Sequence, residues 1–545
     1  MRNRKSLAKK EVFTRDATGL VREIGPWSAL FLSWNSYSVA IGSVLIFLIT
    51  LYPYPGANIE VSVILGFLLS AIVGLIYYVF MSAMPRSGGE YVFISRTVNP
   101  LLGFTVNWAY TISFMMYLGP IMTFIYVPLV ISPSLTFIGL VTNTAWLASF
   151  GAWIASGIGL FIFSAIVYIL CFTILTFGIR AASRASTILF ILGSLAIILA
   201  IIIFAVTSNS SWITHVNDFV TKYTGKTGFY QFVLSNASSS GFTVPSTNVS
   251  DTFGSLIISY VTFQGVWFTS YYAGELKRAS RTLVWGMIWS GALGAIQLVL
   301  LAIFAIPMLG RDFMISLAHL FYGNPSALAP YLPSNIIPST PFWALVAVDN
   351  IPLQAIIAIG YIAGAFSSVL GIWFALSRNV FAWAFDRVVP SQLAFVDSRF
   401  HSPLVSNILI LGAAVLGLAL TIYTPLFGFI NQLLFAFIVL AIIGVVAMVF
   451  PFTKKEIYAR TSLRHSLGGV PLVTVLGAIL TISSIYGEYI SATNSFISGP
   501  LSIQTWAILI IVFALAPIIY YGSKVYHKSR EGIDITLAFK EIPPE

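Results

Sequence analysis

Two short polar segments interrupt long apolar runs of this sequence. One is Thr262-Phe263-Gln264-Gly265, which lies inside an uncharged run and is followed, eleven residues after Gln264, by Glu275. In an α-helix that separation is roughly 16 Å, about half of a hydrocarbon core of ~30 Å. A membrane helix that breaks at this depth exposes backbone amides and carbonyls to a polar solute. The segment is therefore a candidate binding site.

The second segment covers residues 35–43 and contains Asn35, Ser38, Gly42 and Ser43. Half-helix N-termini favour a carboxylate and half-helix C-termini favour an ammonium group. Two broken helices can therefore hold a zwitterion without any charged side chain. Close packing between helices is the alternative role for the same glycines and serines.

The elements that must position these segments are membrane helices. Of the 545 residues, 58% are hydrophobic and only 8% are charged, against about 25% charged in soluble domains. A backbone that faces lipid must satisfy its own hydrogen bonds, so the apolar runs are predicted to be helices of an all-α membrane protein. We predict twelve spans, at about residues 27–51, 60–84, 101–131, 154–179, 185–207, 252–274, 282–308, 352–378, 403–425, 427–452, 466–487 and 502–523.

The net charge of +10 follows the predicted topology. If the N-terminus is cytoplasmic, 25 of the 28 Lys and Arg residues fall on cytoplasmic segments. This asymmetry is typical of the positive-inside rule and predicts a multi-pass protein of the plasma membrane with both termini in the cytoplasm. The basic charge is therefore interpreted as topological and not as a binding patch for nucleic acid, and membrane lipid is an expected partner of the protein.

The two polar segments occupy corresponding places in the predicted order of helices. The predicted breaks are Ser38 to Ser43 on the first helix and Phe263 to Gly265 on the sixth, as an inverted repeat of two five-helix units would require. The predicted organisation is a cytoplasmic leader at 1–26, a first repeat (helices 1–5) at 27–207, an extracellular loop at 208–251, a second repeat (helices 6–10) at 252–452, helices 11 and 12 at 453–523, and a cytoplasmic tail at 524–545.

Residues for catalysis are poorly represented. No predicted span carries an ionisable side chain well inside its boundaries, and the five histidines fall in loops or the tail without metal-ligand spacing. The single cysteine, Cys171, lies in an apolar run and has no partner for an internal disulfide. We therefore expect no enzyme, no metal and no cofactor.

Four motifs in chain order resemble the amino acid–polyamine–organocation superfamily of permeases, over residues 20 to 410. The matching motifs are Ile41-Gly42-Ser43 with Ile46-Phe47, Pro85-Arg86-Ser87-Gly88-Gly89-Glu90-Tyr91 with Gly103-Phe104, Phe263-Gln264-Gly265 with Glu275-Leu276-Lys277-Arg278, and Asp386-Arg387-Val388-Val389-Pro390 with Ser402-Pro403. The resemblance implies a LeuT-like fold, a five-plus-five inverted repeat with broken helices 1 and 6, followed by two C-terminal helices.

The sequence also departs from the family pattern. Val44 replaces the second glycine of the first-helix motif, and Trp267 stands where some relatives carry an acidic residue. The position of a fifth-helix lysine in some proton-coupled relatives falls near Gly193. Ser367 and Ser368 on the eighth helix could bind a hard cation such as Na⁺, or could serve helix packing. Coupling to Na⁺, to H⁺, or to neither stays open.

The resemblance implies a secondary active transporter of amino acids that works by alternating access, with its substrate at the bilayer midplane. Because the site has no buried acid, a neutral side chain is favoured over a cationic one. A polyamine or other organic-cation permease or exchanger, or a non-transporting nutrient-sensing membrane protein of the same fold, is the alternative. The oligomeric state is left open.

Specific roles follow for the residues of these motifs. The predicted substrate contacts are Asn35, Ser38, Gly42, Ser43, Thr262, Phe263, Gln264 and Gly265. The predicted gate is Phe263 and Trp267, and the predicted cytoplasmic charge network is Glu275, Lys277, Arg278, Asp386 and Arg387. Packing is the alternative role for the two gate aromatics, and topology-determining surface charge is the alternative role for the basic residues of the network.

Overall fold

A computed structural model describes residues 19–333, 336–425, 431–499 and 501–540. Residues 1–18 of the predicted leader, residues 427–430 at the predicted start of the tenth span, and the last five residues of the predicted tail lie outside the described residues.

The described chain is almost entirely helical, and eleven helical segments are long and apolar enough to cross a membrane. They correspond to the predicted spans other than the sixth, which confirms an all-α, multi-span membrane protein. The eleven segments are Pro26–Ile49, Ile59–Ala83, Pro100–Val141, Gly157–Thr176, Gly178–Val206, Ala279–Leu309, Ile351–Phe385, Leu404–Tyr423, Gln432–Thr453, Leu472–Thr493 and Ile503–Arg530.

The first span is interrupted at one residue. Helix α1 (Pro26–Tyr37) ends where Ser38 adopts φ 48° and ψ 108°. Helix α2 (Val39–Val44) follows, and a π-helical turn continues it to Ile49. Because a non-glycine residue rarely adopts a positive φ, the surrounding packing must hold Ser38 in this conformation. The break is thus confined to Ser38, and Gly42 and Ser43 lie inside regular helix.

The sixth span, residues 249–275, is broken at mid-length as predicted. Its first half is α12 (Val249–Thr262), which begins with the Asn248 side chain accepting a hydrogen bond from the amide of Asp251. Residues 263–265 are not helical, and the second half is a 3₁₀-helix, Val266–Glu275. The two halves contain 14 and 10 residues, so neither could cross a bilayer alone.

Most remaining elements extend these spans or cover their ends. In chain order the other α-helices are α3 (Ile59–Ala83), α4 (Glu90–Thr97), α5 (Pro100–Ile121), α6 (Ser132–Val141), α7 (Ala145–Ile154), α8 (Gly157–Thr176), α9 (Gly178–Val206), α10 (Asn209–Thr224), α11 (Phe229–Ser239), α13 (Ala279–Val284), α14 (Ser290–Leu309), α15 (Arg311–Gly323), α16 (Pro325–Leu328), α17 (Thr340–Val346), α18 (Ile351–Phe385), α19 (Leu404–Tyr423), α20 (Gln432–Thr453), α21 (Lys455–Tyr458), α22 (Leu472–Thr493), α23 (Ser495–Ser498) and α24 (Ile503–Arg530). Further π-helical segments are Met122–Ile131 and Trp285–Trp289, and short 3₁₀-helices are Ala329–Tyr331, Ser391–Ala394 and Ile535–Phe539.

Two predicted boundaries were wrong in ways that matter for charge. Residues 466–471 do not begin the eleventh span but form a small antiparallel hairpin, β1 (Ser466–Leu467) and β2 (Val470–Pro471). The helix therefore extends to Thr493 and includes Glu488. Likewise α18 continues to Phe385, so Arg378 lies inside the helix. The expectation that no span contains an ionisable side chain well inside its boundaries is incorrect at both positions.

The described ends of the chain lie on one face of the helical bundle. The amide of Ile24 donates to the carbonyl of Glu275 at 3.0 Å, and the amide of Lys277 donates to the carbonyl of Ile24 at 2.8 Å. Near the other end, the ring of Phe539 lies 6.2 Å from the ring of Tyr91. This face, which holds both described chain ends, is the termini face.

Candidate functional site

A cavity of about 460 Å³ lies between the two broken spans. It extends to Ile49, at the end of the first span remote from Ile24, and to Tyr322 and Phe496, whose rings both pack against Tyr52 just beyond that end. The first, third, sixth, eighth and tenth spans contribute its walls, including Ser36, Tyr37, Ile41, Phe114, Tyr117, Thr262, Gln264, Gly265, Phe268, Ser368, Ile372 and Gln432. None of the described residues that line the cavity is charged.

The floor of the cavity is the crossing point of the two breaks. A Cβ atom on Gly265 would lie 2.8 Å from the carbonyl carbon of Ser36 and 2.8 Å from the amide nitrogen of Tyr37. A Cβ atom on Gly42 would lie 2.5 Å from Cγ2 of Thr262. At Gly265 the backbones of the first and sixth spans approach too closely for a side chain, so glycine is required there. At Gly42 the added atom would clash with the side-chain methyl of Thr262.

Three of the predicted substrate contacts line this cavity: Thr262, Gln264 and Gly265. The hydroxyl of Thr262 donates to the carbonyl of Ile258 at 2.8 Å, so its hydrogen is already used within the helix. The Nε2 atom of Gln264 is buried and has no hydrogen-bond partner. The side-chain amide nitrogens of Asn431 and Gln432, which also line the cavity, are likewise buried without a partner.

The four predicted contacts on the first span do not line the cavity. Asn35 points the other way and donates through Nδ2 to the carbonyl and the hydroxyl of Ser186, at 2.7 and 2.6 Å. The hydroxyl of Ser43 donates to the carbonyl of Ala40 at 2.8 Å. The hydroxyl of Ser38 is buried without a partner, and Gly42 packs against the sixth span. The first span contributes Ser36 and Tyr37 to the floor instead.

The two predicted gate aromatics also lie behind the cavity wall. Phe263 packs against the rings of Tyr37 and Phe67, with centroid distances of 5.7 and 5.9 Å. Trp267 lies between Tyr77 and Tyr260, with centroids at 6.5 and 6.1 Å.

Phe268 is the aromatic residue of this segment that lines the cavity. In a 3₁₀-helix, side chains three residues apart share a face. Phe268 therefore projects on the same side as Gly265.

The two serines of the predicted cation site have different surroundings. Ser368 lines the cavity, donates to the carbonyl of Ser36 at 3.2 Å, and lies 2.6 Å from the hydroxyl of Tyr126. Ser367 donates to the carbonyl of Gly364 within its own helix at 2.8 Å. Of the two hydroxyls, that of Ser368 thus makes the contact with the first span.

Below the floor, a buried ion pair closes the path to the termini face. Arg378 donates from Nε to Oε1 of Glu275 at 2.8 Å and from Nη2 to Oε2 at 3.2 Å, and both side chains are 1% exposed. The guanidinium also lies 3.7 Å from the centroid of the Phe374 ring. A bidentate pair of this kind fixes the end of the sixth span against α18.

The other members of the predicted charge network belong to separate contacts. Asp386 is buried and accepts hydrogen bonds from Nη2 of Arg96 and from the hydroxyl of Tyr91, each at 3.0 Å. Arg387 pairs with Glu531 at 3.2 Å near the surface. The side chains of Lys277 and Arg278 are exposed. Sequence reasoning missed Arg96 and Arg378, whose partners come from distant parts of the chain.

These features describe a conformation in which the cavity faces away from both described chain ends. The cavity opens away from the termini face, while the two buried ion pairs and the backbone pairing of Ile24 close that face. An uncharged cavity whose floor is made from two helix breaks can bind a small polar solute through backbone groups and Gln264.

Comparison with known proteins agrees with this geometry. No match was found among curated proteins. The chain matches the family described as amino acid permease over residues 24–515, which includes every described membrane span except the last part of α24. A permease family points to a transporter rather than an enzyme, and this family is part of the superfamily that the four motifs resemble. The chain belongs to the amino acid permease family of the amino acid–polyamine–organocation superfamily.

Proposed function

We propose that this protein is a secondary active transporter that carries an amino acid with a neutral side chain by alternating access. The observation that carries the proposal is the cavity floor, where Gly265 contacts the backbone of Ser36 and Tyr37. At this point α1 and α12 both end, and the C-terminus of a helix carries a partial negative charge that favours an ammonium group.

The preference for a substrate with a neutral side chain follows from the residues that line the cavity. A cationic side chain in this cavity would meet no carboxylate among the described residues that line it. Burial of an unpaired charge is unfavourable, so a lysine-like, arginine-like or polyamine substrate is disfavoured. The apolar walls from Ile41, Phe114, Phe268 and Ile372 suit an apolar or aromatic side chain.

Alternating access requires that the closed face can open. We assign this role to the Val266–Glu275 half of the sixth span, which the Glu275–Arg378 pair and the Ile24 backbone pairing hold in place. Release of these contacts would open the cavity toward the termini face. The excess of Lys and Arg on this side supports a cytoplasmic location for it in the plasma membrane.

The test is uptake of a panel of labelled amino acids into liposomes that contain the purified protein, with Na⁺ and pH gradients imposed separately. We expect uptake of at least one neutral amino acid, competed by other neutral amino acids and not by lysine or putrescine. Absence of uptake for the whole panel by folded protein would contradict transport, and competition by cationic substrates alone would contradict the neutral preference.

A further inference from the structure

Glu90 is a buried carboxyl group that the transport cycle described above does not use. It is the first residue of α4, in the motif Pro85–Tyr91 that connects α3 to the third span, and its exposed fraction is 0%. Among the ion pairs of the described residues, none involves Glu90. A buried carboxylate without a cation is unusual and needs an explanation.

Three neutral donors from three different elements surround the carboxyl group. The hydroxyl of Tyr77 on α3 donates to Oε2 at 2.9 Å, and Nδ2 of Asn107 on α5 donates to Oε1 at 2.7 Å. The hydroxyl of Tyr271, on the 3₁₀ half of the sixth span, donates to Oε1 at 3.3 Å. Hydrogen bonds from these donors can stabilise the ionised carboxylate. Because no cation of the described residues is paired with Glu90, the protonated carboxyl group can also be accommodated.

Two buried arginines of the described chain are paired with other carboxylates. Arg96 on α4 binds Asp386, and Arg378 on α18 binds Glu275. The other titratable group that faces Glu90 is Tyr110 on α5. Burial raises the pKa of Glu90 to about 7, against the opposing effect of its hydrogen bonds, so protonation would occur near neutral pH.

A set of unpartnered polar groups lies between the cavity and Glu90. The hydroxyl of Tyr110 lies near Glu90 and also near the side chains of Gln264 and Trp267. The Tyr110 hydroxyl, Nε2 of Gln264 and Nε1 of Trp267 are all buried, and none of them makes a hydrogen bond of good geometry, although the hydroxyl interacts with both side chains. Three such groups are the usual number of partners for one buried water. Because Gln264 lines the cavity, they mark a polar route from the cavity to the carboxyl group.

The surroundings of Glu90 also depend on the position of the sixth span. The carbonyl of Tyr271 accepts a hydrogen bond from the amide of Gly88 at 3.0 Å. Gly89 has a positive φ of 52°, and a Cβ atom on it would lie 2.3 Å from the Tyr271 ring, so glycine is needed for this contact. Movement of the Val266–Glu275 half would therefore remove Tyr271 and admit water to Glu90.

We propose that Glu90 is a proton-binding site that couples transport to the proton gradient. The carboxyl group takes up one proton from the cavity side while the termini face is closed, and releases it toward the termini face when the 3₁₀ half moves away. Release follows because hydration removes the desolvation that favours the neutral form. This inference rests on the proposed transport function and specifies its driving ion.

The test compares wild type, E90Q and the control Glu488→Gln in liposomes. Glu488 is a second partly buried carboxyl group, but it lies on α22 and does not line the cavity. With one proton per substrate, a gradient of about one pH unit should raise accumulation of a neutral amino acid by about tenfold in wild type and in the control. E90Q should show no such increase, while counterflow exchange demonstrates that this variant is folded.

Two further measurements keep proton binding separate from transport. Infrared difference spectra of purified protein, taken between about pH 5 and pH 9, should contain a carboxylic-acid component that titrates near neutral pH, that E90Q removes and that Glu488→Gln leaves in place. Tyr77→Phe removes one donor to the ionised form and should move the midpoint up by about one pH unit.

The outcomes distinguish the two proposals. Counterflow without any effect of the pH gradient, or an effect that persists in E90Q, would overturn the coupling role of Glu90 and leave the transport function intact. Absence of counterflow for every amino acid would overturn the transport function. Absence of a titrating band that depends on Glu90 would overturn proton binding whatever the transport result.

Discussion

Replacement of Gly265 by alanine tests whether the crossing of the two broken spans forms the binding site. The added Cβ would lie 2.8 Å from three atoms of Ser36 and Tyr37, two of which belong to the backbone, whereas ordinary contacts begin at 3.4 Å. Backbone atoms cannot rotate away, so the two spans must separate. Overpacking of this kind costs about 1–3 kcal/mol.

If this strain appears at the substrate contact, kcat/KM for uptake should fall by roughly 5- to 150-fold. The assay is initial uptake of a neutral amino acid by equal amounts of reconstituted protein, with thermal stability and monodispersity measured alongside. The matched control is Gly412→Ala on α19, where no atom lies within 4 Å of the new Cβ. Wild-type uptake by Gly265→Ala would refute the assignment of the floor, and the larger Gly265→Leu should abolish uptake.

Three other predictions concern the wall, the closed face and the buried carboxyl group. Phe268→Ala should enlarge the cavity and shift preference toward bulkier neutral substrates, which competition assays would detect; an unchanged rank order would contradict its place in the wall. Arg378→Met should destabilise the protein by about 3–5 kcal/mol because it leaves the buried Glu275 carboxylate unpaired, and Glu275→Gln in the same chain should restore much of the melting temperature. Since the pKa of Glu90 rises from 4.5 to about 7 on folding, its proton stabilises the folded state below about pH 4.5, and this contribution of about 3 kcal/mol is lost as pH rises to about 7. Wild type should therefore lose stability relative to E90Q between these pH values, and parallel melting curves would contradict the buried environment.

The sequence predicts the breaks well because their causes are local. A glycine and polar residues in the middle of an apolar run weaken a helix wherever the run is placed, so residues 262–265 could be identified directly. The break in the first span was placed between Ser38 and Ser43, but it is confined to Ser38, whose positive φ depends on packing. Local composition therefore predicts the presence of a break better than its position.

The side chains that line the cavity were harder to predict. Their directions depend on the 3₁₀ geometry after Gly265, which places Phe268 in the wall and Trp267 behind it. The partners of the buried charges depend on contacts between residues far apart in the chain, such as Glu275 with Arg378. Nothing in the motif that contains Glu90 shows that Tyr77, Asn107 and Tyr271 surround it.

Solute counterflow by the purified protein tests the central claim most directly, because exchange requires alternating access but needs no knowledge of the coupling ion. Liposomes are preloaded with an unlabelled neutral amino acid and diluted into a trace of the same labelled compound. We expect a transient accumulation of label inside the liposomes, which Gly265→Leu abolishes and Gly412→Ala leaves in place. No accumulation with any amino acid, from protein shown to be folded, would contradict it.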